Sequence, residues 1–258
     1  MADSREVYAS LRVRAPLVVR ADGRGFGKLL AEAEKPYDLN FAKAMAKAAR
    51  KFVEDSGLGP ALAFTFSDEI NLLFPVAPFN GRLEKIDSVV AGTLSGHLSL
   101  GLGKAVAMDA RSIPLCPGEI GEYFAKRQDE AWRNHVFSCG FYALIDDGLA
   151  HDEAMGLLRG MKEADIHEML FQRGTNLAKS PAWQRRGILI RREGPAKDEY
   201  ETAEEDVGGE EMVGREKMRE KGKRGRRIVE DWEPPLFRSE EGRRLLDGTI
   251  HDLLGAET

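Results

Sequence analysis

Apolar positions in the first part of the chain follow two periods. Leu17-Val18-Val19-Arg20-Ala21-Asp22 reads as a strand that runs into a glycine-rich turn, Gly23-Arg24-Gly25-Phe26-Gly27. Asp38 is an N-cap residue type ahead of Phe41, Met45, Ala48 and Phe52, which recur at helical spacing, and Gly57 is a stop. Ala61 to Phe66 and Glu69 to Phe74 are two short apolar runs around the polar pair Ser67-Asp68, a hairpin pattern. Leu83, Ile86, Val90, Leu94 and His97 mark a second helix, and Ala105 to Asp109 starts a fourth strand.

The order strand, helix, strand, strand, helix, strand predicts an α+β fold with a ferredoxin-like βαββαβ core. A right-handed crossover makes the first two strands parallel, with the third between them and antiparallel to both. That topology puts Asp22, at the end of the first strand, beside the hairpin turn at Ser67-Asp68. Residues 117–172 read as helical: Pro117 suits a first turn, and apolar positions recur from Ile120 through Phe171. Gly187 to Arg191 returns to strand. An acidic run, Asp198 to Glu211, and a basic one, Arg215 to Arg227, then form a charged C-terminal insertion with little apolar content. The chain is thus divided into a βαββαβ region 1–116, a helical region with a returning strand 117–193 packed on it, a charged arm or flexible insertion 194–227, and a C-terminal segment 228–258.

Composition narrows the function classes. With 258 residues, 42% of them apolar and 31% charged, the chain can bury a core. A net charge of −5 argues against a uniformly basic nucleic-acid coat and leaves room for a local basic patch. The amino terminus lacks the apolar stretch of a signal peptide, and no apolar run reaches the roughly 20 residues of a membrane span. A cytoplasmic protein without a membrane partner is expected. Cys116 and Cys139 are too few and too far apart for a disulfide framework or zinc site.

The chemistry concentrates on Asp22 and Asp68, with Glu69 beside them. Carboxylates held close together repel, and divalent cations relieve that repulsion; magnesium favours a few carboxylates plus substrate phosphates. Two such ions can activate an attacking hydroxyl and stabilise a leaving oxygen. Glycines after Asp22 permit close approach of backbone amides to a triphosphate. Their spacing is not the dinucleotide fingerprint. Lys35, Arg82 and Lys85 are candidates for phosphate contact, with a solvated first helical turn as the alternative for the last two. Asp109 and Arg111 suit an ion pair beside the sheet, Trp132 suits the core, and His135 is neither an evident ligand nor a base.

Val18-Val19-Arg20-Ala21-Asp22-Gly23-Arg24-Gly25-Phe26, then Lys35-Pro36-x-Asp38, Phe66-Ser67-Asp68-Glu69 and Asp109-Ala110-Arg111, resemble the tRNA-histidine guanylyltransferase family. Arg127-Gln128 through Asn134 and Arg173-Gly174-Thr175-Asn176 through Gly187 resemble its following helical region, so the likeness covers roughly residues 5–193. It implies a polymerase-like palm and 3′–5′ nucleotide addition to a tRNA 5′ end: activation of that end by ATP, then attack by the 3′-hydroxyl of GTP. It also implies two Mg2+ ions held by Asp22, the Gly23 carbonyl and Asp68. Residues Asp22, Gly23, Arg24, Gly25, Phe26 and Gly27, with Ser67, would border the nucleotide, and Glu69 would play a supporting or catalytic part. The partners implied are tRNA, with tRNA-histidine first, and nucleoside triphosphates; the assembly implied is a homodimer or homotetramer.

Gly27 stands where eukaryotic members usually carry histidine, and Ala131 to Phe137 keeps only part of the eukaryotic His-Ile-Asn-Asn-Leu-Tyr-Asn motif. The chain resembles the archaeal or bacterial branch, which is associated with template-dependent repair of truncated tRNA 5′ ends. Two rivals remain: a palm-fold nucleotide cyclase, which would need no tRNA, and a non-enzymatic RNA-binding module, whose usual aromatic sheet motif is not evident. Arg215 to Arg227 would either grip tRNA phosphates or pair with the preceding acidic run.

Overall fold

The computed structural model describes residues 5–193 and 227–254. Its strands are β1 (Leu17–Gly23), β2 (Leu62–Phe66), β3 (Glu69–Phe74), β4 (Met108–Pro114), β5 (Ile188–Glu193) and β6 (Arg227–Asp231). Its helices are α1 (Phe26–Leu29), α2 (Leu39–Asp55), α3 (Leu83–Leu102), α4 (Ile120–Asp146), α5 (His151–Arg159), α6 (Glu163–Gln172), α7 (Ala182–Arg186) and α8 (Glu240–Leu254).

The strands form one sheet in the order β4-β1-β3-β2-β5-β6, every neighbouring pair antiparallel. The expected α+β core is present, with β1 and β2 flanking β3. Alternation along the strands splits the sheet into two faces. Val19, Ala21, Ile70, Leu72 and Ala63 pack with Met45, Phe52, Ile86, Val90, Leu94 and Leu98 of α2 and α3. Val18, Phe64, Phe66 and Leu73 pack with Phe124 and Ala125 of α4, and with Phe237 and Leu246. A third cluster, including Val136, Leu144, Leu158, Ile166 and Leu170, ties α5 and α6 to the second half of α4. The returning strand β5 extends the same sheet by pairing with β2.

Local signals account for the ends. Asp38 caps α2 by accepting the Phe41 amide at 2.9 Å. Ser67 takes the left-handed conformation, φ 50°, which closes the β2–β3 hairpin. The buried stripe of α3 is Ile86, Val90, Leu94 and Leu98; His97 lies off that face, because the helical period carries the stripe from Leu94 to Leu98. The predicted fourth strand begins three residues late, at Met108. Most of the charged arm, residues 194–226, falls outside the described residues, and Arg227 opens β6.

Candidate active site

Asp22 and Glu69 face each other across the β1–β3 register, and Asp22 and Asp109 across β1–β4. The Gly23 amide donates to the Asp68 carbonyl at 3.1 Å, so the strand end and the hairpin turn are joined directly. Asp22 and Asp68 are both half-buried at this edge. Burial, and then the neighbouring Asp22 carboxylate, push the Asp68 carboxyl above its ordinary range. Removal from water is the larger cause, and the like charge of Asp22 adds to it.

The turn is shaped by its glycines. A Cβ on Gly23 would lie 2.6 Å from the Phe26 ring, and Gly25 has φ 72°. Buried Phe26 packs edge-on against Phe41 at 5.9 Å, which seats the turn on α2. As the first residues of a helix, Phe26 and Gly27 keep their amides outside the i→i−4 ladder. Arg24 is exposed, and Ser67 Oγ donates to Asp68 Oδ1 at 3.1 Å.

Glu69 is not free to serve as a third acid at this edge. Arg127 of α4 grips it with two bonds, Nε to Oε1 at 2.9 Å and Nη2 to Oε2 at 2.6 Å. Asn71 Nδ2 donates to Oε1 at 2.7 Å, and Tyr123 donates to Asn71 Oδ1 at 2.8 Å. The Arg127 guanidinium also lies over the Phe66 ring, 5.3 Å from its centre. The carboxylate is turned inward onto α4, a geometry that suits the supporting one of the two parts expected of it. Burial, and then Glu69, push the Tyr123 hydroxyl up to about 12, so it stays a donor.

This polar strip was missed from the sequence. Arg20, Asp22, Glu69, Asn71, Asp109 and Arg111 share the α4 face through the strand registers, and Tyr123 with Arg127 reaches it from α4 at i, i+4 spacing. The alternation Arg20-x-Asp22 was the available signal. Asp109 and Arg111 form the expected ion pair, at 2.8 Å.

Arg82 and Lys85 are placed elsewhere. Strand β3 runs away from the Asp22 edge to Phe74, so α3 starts at the opposite end of the sheet. There the backbone of Arg82 pairs with that of Arg12 in an antiparallel bridge, and the Lys85 ammonium lies over Phe79 at 4.7 Å. A 20-residue helix spans about 30 Å, so within one chain these two cations do not reach the nucleotide edge. Lys35 does lie near it: exposed, with Nζ donating to the Leu30 carbonyl at 2.6 Å, it lines a cavity that begins at Ser67.

That cavity holds about 260 Å³. Four separate segments build it: residues 30–45, the Thr65-Phe66-Ser67 strand end, Ala131 to Ser138 of α4, and Trp183 to Ile188 across α7 and the start of β5. Five aromatic side chains, Tyr37, Phe41, Phe66, Phe137 and Trp183, stand in its wall. Buried His135 lies behind it, 3.0 Å from Ser180 Oγ and in tilted ring contact with Tyr37 at 5.4 Å; burial, and then Arg185, push its imidazole down to about 4. Trp132 packs at the helical cluster, between His135 and His167, with Nε1 donating to Glu163 at 2.5 Å.

Among the described residues, no group of three or more His, Cys, Asp or Glu side chains is disposed to hold a metal. Two carboxylates and one backbone carbonyl nevertheless fit magnesium, which keeps water and substrate oxygens for the rest of its shell. Half-buried Asp68 lies beside the like charge of Asp22, and a cation bound there would offset both the burial and the repulsion.

The family described as tRNAHis guanylyltransferase matches residues 3–123, and its Thg1 C terminal domain matches residues 118–232. A probable tRNA(His) guanylyltransferase of Drosophila melanogaster is 31% identical over 192 residues, 68% of this chain and 66% of that protein. The tRNA(His) guanylyltransferase of Debaryomyces hansenii is 28% identical over 235 residues, 84% of each chain. Among solved structures, a bacterial tRNA(HIS) guanylyltransferase (Thg1)-like protein in complex with ATP superposes with a TM-score of 0.72 over 95% of both chains at 21% identity.

Proposed function

We infer the function from the premise that the chain belongs to the tRNAHis guanylyltransferase family and is a nucleotidyltransferase. The reading is 3′–5′ addition of guanosine to a tRNA 5′ end. In the first step a 5′-phosphate oxygen of the tRNA attacks the α-phosphate of ATP and pyrophosphate leaves. In the second the 3′-hydroxyl of GTP attacks the activated 5′-phosphate and AMP leaves. The observation that carries this is the pair Asp22 and Asp68 at directly joined strand ends, next to a cavity with aromatic side chains in its wall.

Asp22, Asp68 and the Gly23 carbonyl would hold two magnesium ions, which supply charge neutralisation of phosphates and a lowered hydroxyl pKa. The protein does the positioning. At about 260 Å³ the cavity is smaller than the roughly 300 Å³ at which ligand pockets usually begin, so it takes the base of the activating nucleotide and leaves the phosphates at the aspartate edge. Arg20 and Arg111, opposite each other on β1 and β4, present positive charge to a polyphosphate on that face. Glu69 fixes Arg127 and keeps the strip in order.

The test supplies 5′-monophosphorylated tRNA-histidine, and separately a 5′-truncated tRNA, with ATP, GTP and magnesium, and maps the added nucleotides. Guanosine added through an adenylylated intermediate is expected. A cyclic product from GTP alone, or no turnover with either tRNA, would overturn the reading.

A further inference from the structure

The polar groups on the cavity wall are unequally committed. Asp38 accepts the Phe41 and Glu34 amides, at 2.9 and 3.2 Å. Lys35 donates to Leu30, Thr65 to the Glu69 carbonyl and Ser67 to Asp68, while Ser138 is bonded to Tyr37. Among the described residues, the side chains of Asn134, Gln184 and Glu34 line the cavity with no hydrogen-bond partner of their own. Gln184 is half-buried, while Asn134 and the acceptor-only Glu34 are exposed.

A base slotted among aromatic walls must have its polar edge satisfied, or desolvation opposes binding. A carboxamide offers a donor and an acceptor side by side, and a half-turn of the group exchanges them. In one order it accepts from adenine N6–H and donates to adenine N1. In the other it donates to guanine O6 and accepts from guanine N1–H. A carboxylate has no such freedom: it accepts from guanine N1–H and N2–H and meets the adenine N1 lone pair with a lone pair.

We propose that Gln184, assisted by Asn134, reads the base edge of the activating nucleotide, and that this carboxamide pair admits adenine and guanine alike at the first step. This rests on the base occupying the cavity, as proposed above.

The test measures kcat/KM for nucleotidylylation of 5′-monophosphorylated tRNA at pH 8, with ATP or GTP labelled at the α-phosphate. The wild type is expected to use the two within about tenfold of each other, and Gln184→Glu to move the ratio toward GTP by roughly tenfold or more, the worth of one mispaired polar contact. Asn134→Asp, at an exposed position, should shift the ratio the same way. A wild-type preference beyond a hundredfold for one purine overturns the proposal. So does an unchanged ratio in both variants, or a ratio that moves with Glu34→Gln instead. Ala42→Trp, which fills the cavity, separates the two levels. If it leaves KM for both nucleotides unchanged, the base is not in the cavity and the functional reading itself fails. If it raises both while Gln184→Glu and Asn134→Asp change nothing, only the assignment of the readers fails.

Discussion

Replacing Glu69 with alanine separates a metal ligand from a positioning residue. The carboxylate is 8% exposed and accepts two bonds from Arg127 and one from Asn71. Removing it leaves the Arg127 guanidinium, whose side chain is 18% exposed, without its counter-charge, and strands the Asn71 amide. Breaking a buried pair from one side costs about 3–5 kcal/mol, and partial exposure of Arg127 places this case near the lower end. The Glu69→Ala variant should therefore lose about 3 kcal/mol by urea denaturation. The double variant Glu69→Ala/Arg127→Met, which removes the stranded charge as well, should recover much of that, with a coupling of about 2 kcal/mol. Turnover should fall in Glu69→Ala with no change in the magnesium concentration for half-maximal activity. A ligand would behave in the opposite way: loss of Glu69 would relieve repulsion on Asp68, stability would hold, and the magnesium requirement would rise. A Glu69→Ala protein as stable as the wild type, or a coupling under about 0.5 kcal/mol, refutes the reasoning.

Asp22→Ala and Asp68→Asn should each abolish nucleotide addition. Because the Asp68 carboxyl is held above its ordinary range, ionising it costs the fold stability above about pH 4, so Asp68→Asn should melt at the same or a higher temperature at pH 8; a clearly lower melting temperature would count against charge frustration. Buried His135, held down at about 4, stays neutral while an unfolded chain protonates near 6.5, so stability should drop as pH falls from 6.5 to 4, by at most about 3 kcal/mol. His135→Phe should flatten that part of the pH curve, and an unchanged slope would refute the assignment. Replacing residues 196–226 by a short Gly/Ser bridge should weaken tRNA binding and flatten its salt dependence while activation at saturating tRNA changes little, since counterion release follows the lost cations; an unchanged salt slope with altered oligomer size by light scattering would show that the arm serves assembly instead.

The sequence revealed whatever depends on local period and strand count. Asp38 as a cap, the Ser67-Asp68 hairpin and the meeting of Asp22 with that hairpin all follow from element order and one handedness rule. The same rule, carried one element further, also places Arg82 and Lys85: a strand leaving the edge must deliver its helix to the other end. The grip of Arg127 on Glu69 was not readable, because 58 residues separate the partners and only the angle at which α4 crosses the sheet brings them together. The cavity was hidden for a similar reason, since its wall takes side chains from four stretches of chain and no single stretch carries its shape.

The register of the last two strands has a practical consequence. Glu193 and Arg227 are direct cross-strand partners, so the 33 intervening residues leave and re-enter the fold about 5 Å apart. Lengthening a connection costs little, about 0.6 kcal/mol for each doubling, and Glu193 and Arg227 lie at the end of the sheet remote from Asp22 and Asp68. The position is thus a natural grafting point. A reporter domain, an affinity handle or a rigid marker for imaging can be spliced between these two residues, and the chemistry at the far end should be indifferent to the cargo.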